Sequence, residues 1–179
     1  MDFEDIKGSR TEENLRLALQ NEALAHLKYQ LYKQQIGRFS KKYEKVLDEI
    51  IENEKQHAKL WFKLLNGGKI PDNEVNLLDA IRGEHSEYCD VYPEFARISR
   101  EEGFEDIAEL FEAVADIEGR HCEEFKSMLD AVDGEVPFFK SEELCSVWKC
   151  MNCGHIATGG SAPFVCPVCG SDLKFFVEM

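Results

Sequence analysis

The sequence predicts an all-α four-helix bundle followed by a small C-terminal metal domain built on four cysteines. Residues 11–132 contain only two prolines and show helical periodicity throughout. Residues 134–137 (Gly-Glu-Val-Pro) are typical of a linker, and the chain beyond residue 147 is rich in Cys, Gly and Phe without a helical period. We therefore assign residues 1–134 to the bundle, 135–146 to a linker and 147–179 to the small domain.

Four amphipathic helices fill the predicted bundle, each with an apolar stripe along one face. Pro93 should kink the third helix or loosen its hydrogen bonds, because proline has no backbone N–H. The first helix opens at a capping segment, residues 11–14, and Gly37 breaks it. The predicted bounds of the other three are about 40–66, 74–102 and 104–131.

Charge and composition exclude several classes of partner. The net charge is −14, with 35 acidic and 21 basic residues, which argues against nucleic-acid binding because phosphates need clustered Lys and Arg. The acidic N-terminus does not resemble a signal peptide, and no apolar run approaches the roughly 18 residues of a membrane span. We expect a cytoplasmic protein without a membrane partner.

Two ExxH motifs lie on the predicted second and fourth helices. Residues three apart share a helix face, so Glu54 and His57 point the same way, as do Glu118 and His121. Each motif continues the apolar stripe of its helix. The first and third helices add further carboxylates at Glu22, Glu84 and Glu87.

The spacing of these acidic residues repeats along the chain. Glu54 follows Glu22 by 32 residues and Glu118 follows Glu84 by 34, so two helix pairs each supply a lone glutamate and then an ExxH motif. In so acidic a chain, a single ExxH motif is more simply explained as part of a solvent-exposed helix face. Five carboxylates buried together without cations would repel one another, however. The set therefore predicts paired metal sites, and two histidines among oxygen ligands favour iron or manganese.

The C-terminal cysteines form two CxxC pairs with 12 residues between them, Cys150 with Cys153 and Cys166 with Cys169. In a reducing compartment this pattern predicts a closed tetrahedral site of four thiolates that holds iron or zinc. A zinc ribbon is the structural alternative. Neighbouring aromatic residues favour iron, since they can form an apolar shell that tunes a redox metal; they are Trp148, Phe164, Phe175 and Phe176.

Three cysteines remain outside this pattern and show no pairing, namely Cys89, Cys122 and Cys145. Cys89 and Cys122 are close in sequence to Glu87 and His121. We interpret both as buried free thiols, the common environment of an unpaired cysteine.

With these residues identified, the chain resembles the rubrerythrin family over nearly its whole length, which implies a ferritin-like di-iron bundle with a rubredoxin-like tail. Gly83 and Glu84 with Glu87 matter most, because simple ferritins lack the additional carboxylate. The segments that carry the resemblance are 54–58 (Glu-Lys-Gln-His-Ala), 83–87 (Gly-Glu-His-Ser-Glu), 92–96 (Tyr-Pro-Glu-Phe-Ala), 118–121 (Glu-Gly-Arg-His) and the tail from Trp148.

The resemblance implies a non-haem di-iron peroxidase that reduces hydrogen peroxide to water and protects against oxidative stress. Its electrons would come from an external donor, rubredoxin or an NAD(P)H-dependent reductase linked to NADH. They would pass through an Fe(Cys)4 centre, where zinc can substitute, to two non-haem irons bridged by oxo and carboxylate groups.

The resemblance also implies roles for the site residues. Glu54 and Glu118 would bridge the irons, and Glu22 and Glu84 would be terminal ligands. His121 would hold one iron, whereas the other would exchange between His57 when reduced and Glu87 when oxidised. Tyr29 and Tyr92 match the family's pocket tyrosines, with ordinary core aromatics as the alternative.

The first helix departs from the family pattern around Glu22. Residues 20–26 read Gln-Asn-Glu-Ala-Leu-Ala-His where a Gly-Glu-Ser-Gln-Ala-Arg-like run is common. The glutamate is retained. His26, one turn later, is interpreted either as a hydrogen-bond partner of Glu22 or as a partly exposed helix histidine.

The connector between the second and third helices predicts how the chain assembles. A ferritin-like bundle runs these helices parallel, which requires about 28 Å of axial return at ~1.5 Å per helical residue. Residues 67–73 reach only about 23 Å at ~3.3 Å each. We therefore expect a homodimer that exchanges helix pairs, so that each site takes Glu22, Glu54 and His57 from one chain and Glu84, Glu87, Glu118 and His121 from the other. Electron transfer from the tail also favours a short gap between the two metal centres, which a head-to-tail dimer would supply across subunits.

Two other functions stay open at this point. A ferroxidase or iron-handling protein would use the helical sites alone and would need no electron-input module. A binding or scaffold protein would hold both metals structurally, with the tail as a zinc ribbon.

Overall fold

The computed structural model describes residues 6–36, 38, 40–132 and 147–179. The predicted linker, residues 135–146, lies outside the described residues together with Cys145. The chain divides into two compact units, Met1–Pro71 and Asp72–Met179. Whether residues 1–134 form one domain stays a prediction.

The first unit is a pair of helices, α1 (Arg10–Ile36) and α2 (Lys41–Leu65), that pack against each other. Ser9 caps α1, because its Oγ accepts a hydrogen bond from the Glu12 N–H at 3.2 Å. The helix therefore begins slightly earlier than the predicted capping segment 11–14. Ser40 caps α2 in the same way through the Lys42 N–H.

A short turn ends α2. Gly67 and Gly68 both have positive φ, a region that glycine adopts without a steric penalty. The Gly68 N–H donates to the Lys63 carbonyl at 2.7 Å, which satisfies one of the last free carbonyls of the helix. Asp72 then caps the next helix by accepting from the Val75 N–H.

The helical part of the second unit contains α3 (Asn73–Ser86), a π-helical turn (Glu87–Val91), α4 (Tyr92–Glu101) and α5 (Glu105–Val132). The predicted third helix is thus α3, the π-helical turn and α4 in succession. The turn ends two residues before Pro93, and the Tyr92 N–H reaches five residues back to the Glu87 carbonyl. The expected loosening around Pro93 is confirmed.

Helix α5 is the centre of this unit, because α3, the π-helical turn and α4 all pack on it. An aromatic group joins α4 to α5, with ring centroids 5.5–6.2 Å apart among Tyr92, Phe95 and Phe111. The buried residues of α5 are Ala108, Ala115, Ile117 and Cys122.

The cysteine-rich tail of this unit is a three-stranded antiparallel sheet in the order β2-β1-β3. Trp148 of β1 pairs with Ala157 of β2 and with Glu178 of β3. The strands are β1 (Val147–Cys150), β2 (Ile156–Thr158) and β3 (Phe176–Glu178), with a 3₁₀ turn at Leu173–Phe175.

The predicted fold class is confirmed: four helical segments, the third interrupted by the π-helical turn, precede a small sheet that carries four clustered cysteines. None of the described helices is both long enough and apolar enough to cross a membrane.

Candidate metal centres

The first cluster, defined as Glu22, Glu54 and His57, joins the predicted lone glutamate of α1 to the ExxH motif of α2. Their ligand atoms lie within 4.8 Å of one another. His57 Nδ1 is 3.2 Å from a Glu54 oxygen and 3.8 Å from a Glu22 oxygen. The His57 side chain is 51% exposed, whereas the two carboxylates are largely covered.

The two carboxyl groups of the first cluster behave as a pair that shares one proton. The hydrogen bond with Glu54 raises the pKa of Glu22, and burial and the Glu54 charge raise it further. The same hydrogen bond lowers the pKa of Glu54. A bound cation can replace that shared proton, so the donor set of the first cluster fits a metal ion.

The second cluster, defined as Glu84, Glu118 and His121, repeats this arrangement between α3 and α5. The ligand atoms again lie within 4.8 Å of one another. His121 Nδ1 is 2.7 Å from Glu118 and 3.6 Å from Glu84, and its side chain is 34% exposed. Burial is the first cause that raises the pKa of Glu84, followed by its hydrogen bond with Glu118. This donor set, one imidazole and two carboxylates, also fits a metal ion.

Glu87 is not among the residues that meet in the second cluster, although it was predicted to be an additional ligand. It is the first residue of the π-helical turn, one turn after Glu84. Burial raises the pKa of Tyr92, and the negative charges of Glu87 and then Glu118 raise it further. Tyr92 therefore stays a protonated phenol close to both carboxylates. Tyr29, the other predicted pocket tyrosine, has its ring centroid 6.0 Å from that of Tyr32.

The four cysteines of the tail form a third cluster, which we call the cysteine site. Sγ of Cys150 is 3.8 Å from that of Cys169, and Sγ of Cys153 is 3.6 Å from that of Cys166. A tetrahedron of thiolates about 2.3 Å from a central ion has edges of about 3.8 Å. The sulfur spacing therefore fits an iron or zinc ion.

Two equivalent turns position these cysteines. Gly154 donates its N–H to the Cys150 carbonyl at 2.8 Å, and Gly170 donates to the Cys166 carbonyl at 3.0 Å. Both glycines have positive φ, +79° and +70°, so a side chain at either position would strain the turn.

The sulfur atoms of the cysteine site differ in their surroundings. Burial acts to raise the pKa of the Cys169 thiol, but hydrogen bonds from Asn152 and Ser171 outweigh it and lower that pKa to about 6. Burial raises the pKa of Cys153 far above its ordinary value. A metal ion would hold both as thiolates, since its positive charge displaces the thiol proton.

The predicted apolar shell of the cysteine site is present in part. Cys150, Cys166 and Phe176 are buried together, with Trp148 packed against them. Phe164 does not belong to this shell, because 84% of its surface is exposed, and Phe175 is also exposed at 36%. For Phe164 the prediction is wrong: nearness in sequence to Cys166 does not decide which way a loop side chain points.

The two described cysteines outside the cysteine site and His26 differ in their surroundings. Cys122 is buried as expected, and its Sγ is 3.7 Å from the Ile81 carbonyl. Cys89 is exposed, so the expectation of a buried thiol is wrong there. His26 Nδ1 lies 2.9 Å from the Ile51 carbonyl, so it donates its proton to α2 and joins the two helices of the first unit.

The sequence reasoning missed a set of contacts between the cysteine-rich tail and α5. Lys149 Nζ lies 2.6 Å from a Glu124 oxygen. A methyl group built on Gly154 would lie 3.1 Å from His121 Nε2, so its backbone lies against that ring. The sequence identified Gly154 only as a turn residue, and no local signal showed what the turn would face.

Comparison with known proteins agrees with this architecture. The family model described as rubrerythrin matches residues 13–129 and 75–144, and the one described as rubrerythrin, rubredoxin-like domain, matches residues 148–177. Rubrerythrin of Porphyromonas gingivalis is 35% identical over 97% of this chain and 92% of its own length. Rubrerythrin of Nitratidesulfovibrio vulgaris is also 35% identical, over 97% of this chain and 96% of its own length.

A putative rubrerythrin of the archaeon Methanocaldococcus jannaschii is 30% identical over 96% of this chain and 93% of its own length. A solved structure titled as fully reduced nigerythrin has a TM-score of 0.42 and 23% identity over 94% of this chain and 86% of its own, and this weak likeness adds nothing to the assignment. The family models and the full-length relatives decide it: the chain belongs to the rubrerythrin family.

Proposed function

We propose that this protein is a peroxidase that reduces hydrogen peroxide to water at a two-iron site, with electrons supplied through iron at the cysteine site. One observation carries the proposal. Two carboxylate–histidine clusters and a four-cysteine cluster whose sulfur spacing fits iron or zinc occur on the same chain. Carboxylate–imidazole iron suits oxygen chemistry, whereas tetrathiolate iron suits one-electron transfer.

The first and second clusters together would supply the ligands of the two-iron site. Glu54 and Glu118 would bridge the two ions, Glu22 and Glu84 would be terminal ligands, and His121 would hold one ion. His57 and Glu87 would alternate on the other ion. Two features support this exchange: His57 is the more exposed histidine, and Glu87 lies on a π-helical turn, an irregularity frequent at functional sites.

The reaction consumes two electrons and two protons for each peroxide and yields two waters. Two bound ferrous ions would supply the two electrons. The chain would position the substrate next to Tyr92, whose raised pKa keeps its hydroxyl protonated and able to donate a hydrogen bond to a peroxide oxygen. Tyr29 is proposed for the same role from α1.

Anaerobic turnover tests the proposal directly. We expect the iron-loaded protein to consume peroxide with NADH, a reductase and rubredoxin, and to stop when Cys150 and Cys153 are both changed to serine. Cys89→Ser is the matched control, since it removes an exposed thiol outside the cysteine site. No turnover by the fully loaded protein would overturn the proposal.

The same cysteine variants distinguish the peroxidase from a ferroxidase, and the colour of the isolated protein distinguishes it from a zinc scaffold. A ferroxidase would oxidise added ferrous iron with oxygen at an equal rate with or without the cysteine site. A zinc scaffold would be colourless when isolated with its native metals, whereas a ferric tetrathiolate is red. Either result would replace the peroxidase assignment.

For assembly, we propose a homodimer with exchanged helix pairs. Only residues 66–72 lie between α2 and α3. Part of this link is used in the turn at Gly67 and Gly68, so its reach is shorter than that of an extended chain. A crystal structure in which one chain supplies all the ligands of one two-iron site would refute the exchange.

A stripe of leucines on α1 supports self-association. Leu17, Leu24 and Leu31 recur every seven residues, Leu27 lies between them, and each is more than half exposed. This is the spacing of a helix–helix seam. We expect Leu24→Glu to weaken the dimer in analytical ultracentrifugation, and Leu24→Met, which keeps an apolar side chain of similar size, to leave it nearly unchanged.

The proposed setting is the cytoplasm, with rubredoxin or an NAD(P)H-dependent reductase as electron donor. The cysteines of the described residues are all free thiols, as a reducing compartment would keep them.

A further inference from the structure

The indole N–H of Trp61 on α2 is covered and has no hydrogen-bond partner within the described part of the chain. The other tryptophan differs, because the indole N–H of Trp148 donates to the Gly159 carbonyl at 3.1 Å. An indole nitrogen can only donate, and a covered donor without an acceptor is unfavourable. Such an unpaired donor requires an explanation in a native protein, and the position of Trp61 supplies one.

The register of α1 and α2 places Trp61 close to Glu22. His26 Nδ1 lies 2.9 Å from the Ile51 carbonyl, and a Glu22 oxygen lies 3.8 Å from His57 Nδ1. The position on α2 advances as the position on α1 goes back, so the two helices run antiparallel. Trp61 follows His57 by one helical turn and shares its face. It therefore lies at the end of the first cluster that is farther from the His26 contact.

The carboxyl group of Glu22 responds to this donor. The hydrogen bond with Glu54 is the main cause that raises the pKa of Glu22, whereas the charge of His57 and the indole N–H of Trp61 act to lower it. A neutral donor has this effect only when it faces the carboxylate at short range. The N–H thus points towards Glu22, although it does not make a hydrogen bond of normal geometry there.

Metal binding changes what Glu22 requires. Without a metal ion, Glu22 holds the proton that it shares with Glu54. A bound cation displaces that proton to solvent and leaves both carboxylates ionised. One oxygen of Glu22 then faces the ion, whereas the other is a charged acceptor on a side chain that is only 26% exposed. A charged oxygen with so little access to water requires a donor, and the indole N–H of Trp61 already points towards this carboxylate.

We propose that Trp61 is a positioning residue for Glu22: its indole N–H donates to the outer carboxylate oxygen of Glu22 when the first cluster holds a metal ion. The bond directs the other oxygen towards the ion. Because Trp61 gains its acceptor only when Glu22 is ionised, it favours the metal-bound form of the cluster over the metal-free form. The inference rests on one part of the proposed function, that Glu22 is a metal ligand, and does not depend on peroxide as the substrate.

A zinc titration followed by NMR tests the bond in the unaltered chain. One equivalent of zinc first fills the cysteine site, because four thiolates bind it most tightly, and calorimetry records the binding of further zinc to the helical clusters. We expect the indole ¹H signal of Trp61 to move downfield during this second phase, since a hydrogen bond to a carboxylate deshields the proton. The signal of Trp148 should stay in place, because its bond to Gly159 is already formed.

A Trp61 signal that stays in place or moves upfield while zinc fills the helical clusters would overturn the proposal. Equal downfield shifts of Trp61 and Trp148 would also overturn it, because the change would then not be local to Glu22. Absence of the second binding phase would refute the metal site itself, and with it both the proposed function and the role of Trp61. A chain that shows the expected shift but does not consume peroxide would keep that role and lose the peroxidase, so the two failures can be told apart.

The variant Trp61→Phe measures how much the bond contributes. It removes the N–H and keeps an aromatic ring, and we expect it to weaken zinc binding about ten-fold at one of the two ions. The other ion should be unaffected, because a terminal ligand such as Glu22 serves a single ion. Phe62→Leu is the matched control, since it alters the aromatic packing of the next residue on α2 without removing a donor, and it should leave both affinities unchanged.

Three results of this comparison would contradict the positioning role. They are a loss of affinity for both ions, an equal loss in Phe62→Leu, and wild-type affinity in Trp61→Phe. Circular dichroism verifies that each variant keeps its helices. For a variant that does not, the titration of the unaltered chain decides the question.

Discussion

The first and second clusters use the same motif but are held differently. In the first, His57 is 51% exposed and its Nδ1 lies 3.2 Å from Glu54. In the second, His121 is 34% exposed, its Nδ1 lies 2.7 Å from Glu118, and Gly154 covers its other nitrogen. The repeat in sequence therefore does not produce two equivalent sites.

The difference arises from the helices that surround each motif. Helix α1 has no buried residue, whereas α5 has four and is packed by α3, the π-helical turn and α4. A side chain held on several sides loses its alternative rotamers, while an exposed one keeps them. Under the proposed function, the second cluster would keep its imidazole ligand bound, and the first would release His57.

The largest expected effect comes from removing the predicted bridging carboxylates. Glu54→Ala and Glu118→Ala should each weaken binding of both metal ions by at least about 100-fold, because a bridge serves both ions at once. Anaerobic titration with ferrous iron measures affinity and stoichiometry. Glu52→Ala is the matched control, since it removes an exposed glutamate of the same helix.

This result would also test whether the clusters act together. If Glu54→Ala left one ion bound per chain at wild-type affinity, the two clusters would be independent mononuclear sites. The differences in exposure and packing between the clusters would then be differences between two unconnected metal sites.

The next effect distinguishes the two histidines. His121→Ala should weaken metal binding about ten-fold more than His57→Ala, because His121 is closer to its carboxylate and covered on its far side. Cobalt substitution followed by optical titration measures both variants. Equal losses would show that exposure does not set the contribution of each ligand.

Local patterns in the sequence predicted most of these parts. Each ExxH pair lies within one helical turn and each CxxC pair within one tight turn, so spacing alone brings the two side chains of a pair together. The loosening at Pro93 was predictable because proline removes a backbone donor. The structure places the N-terminal cap of α1 at Ser9, whereas the predicted capping segment began at Thr11. Both residue types can cap a helix, and only the folded chain shows which one is used.

The surroundings of the tail's loop residues could not be predicted from the sequence. The exposure of Phe164 and the approach of Gly154 to His121 depend on how the tail packs, and neither leaves a periodic signal. Glu87 lies at the start of the π-helical turn and outside the second cluster, and its exchange with His57 on the other ion stays a prediction.

The stability of the metal-free protein should depend on pH through the raised pKa of one glutamate in each cluster. The raised pKa values of Glu22 and Glu84 mean that the folded state holds protons that the unfolded state has lost. Their contribution to stability is therefore complete below the ordinary value of 4.5 and is lost as the pH rises through the raised pKa. The free energy of unfolding should fall over that window, as denaturant titrations at several pH values would show.

Side-chain carboxyl NMR can then separate the two causes. Glu54→Ala should return the pKa of Glu22 toward its ordinary value, because the hydrogen bond to Glu54 is the main cause of its rise. Glu118→Ala should leave the pKa of Glu84 raised, because burial is the main cause there. The opposite pattern would contradict the assigned causes.

The smallest expected effect concerns the second residue of each ExxH motif, which is Lys55 in one and Gly119 in the other. A methyl group on Gly119 would lie 3.1–3.2 Å from the Tyr88 ring of the π-helical turn, whereas Lys55 is exposed. Alanine adds roughly 1 kcal/mol of helix propensity, but overpacking costs about 1–3 kcal/mol. Gly119→Ala should therefore destabilise the protein by up to about 2 kcal/mol in thermal unfolding, while Lys55→Ala stays close to neutral. A Gly119→Ala protein that is more stable than the wild type would show that the turn does not rest on α5 at this point.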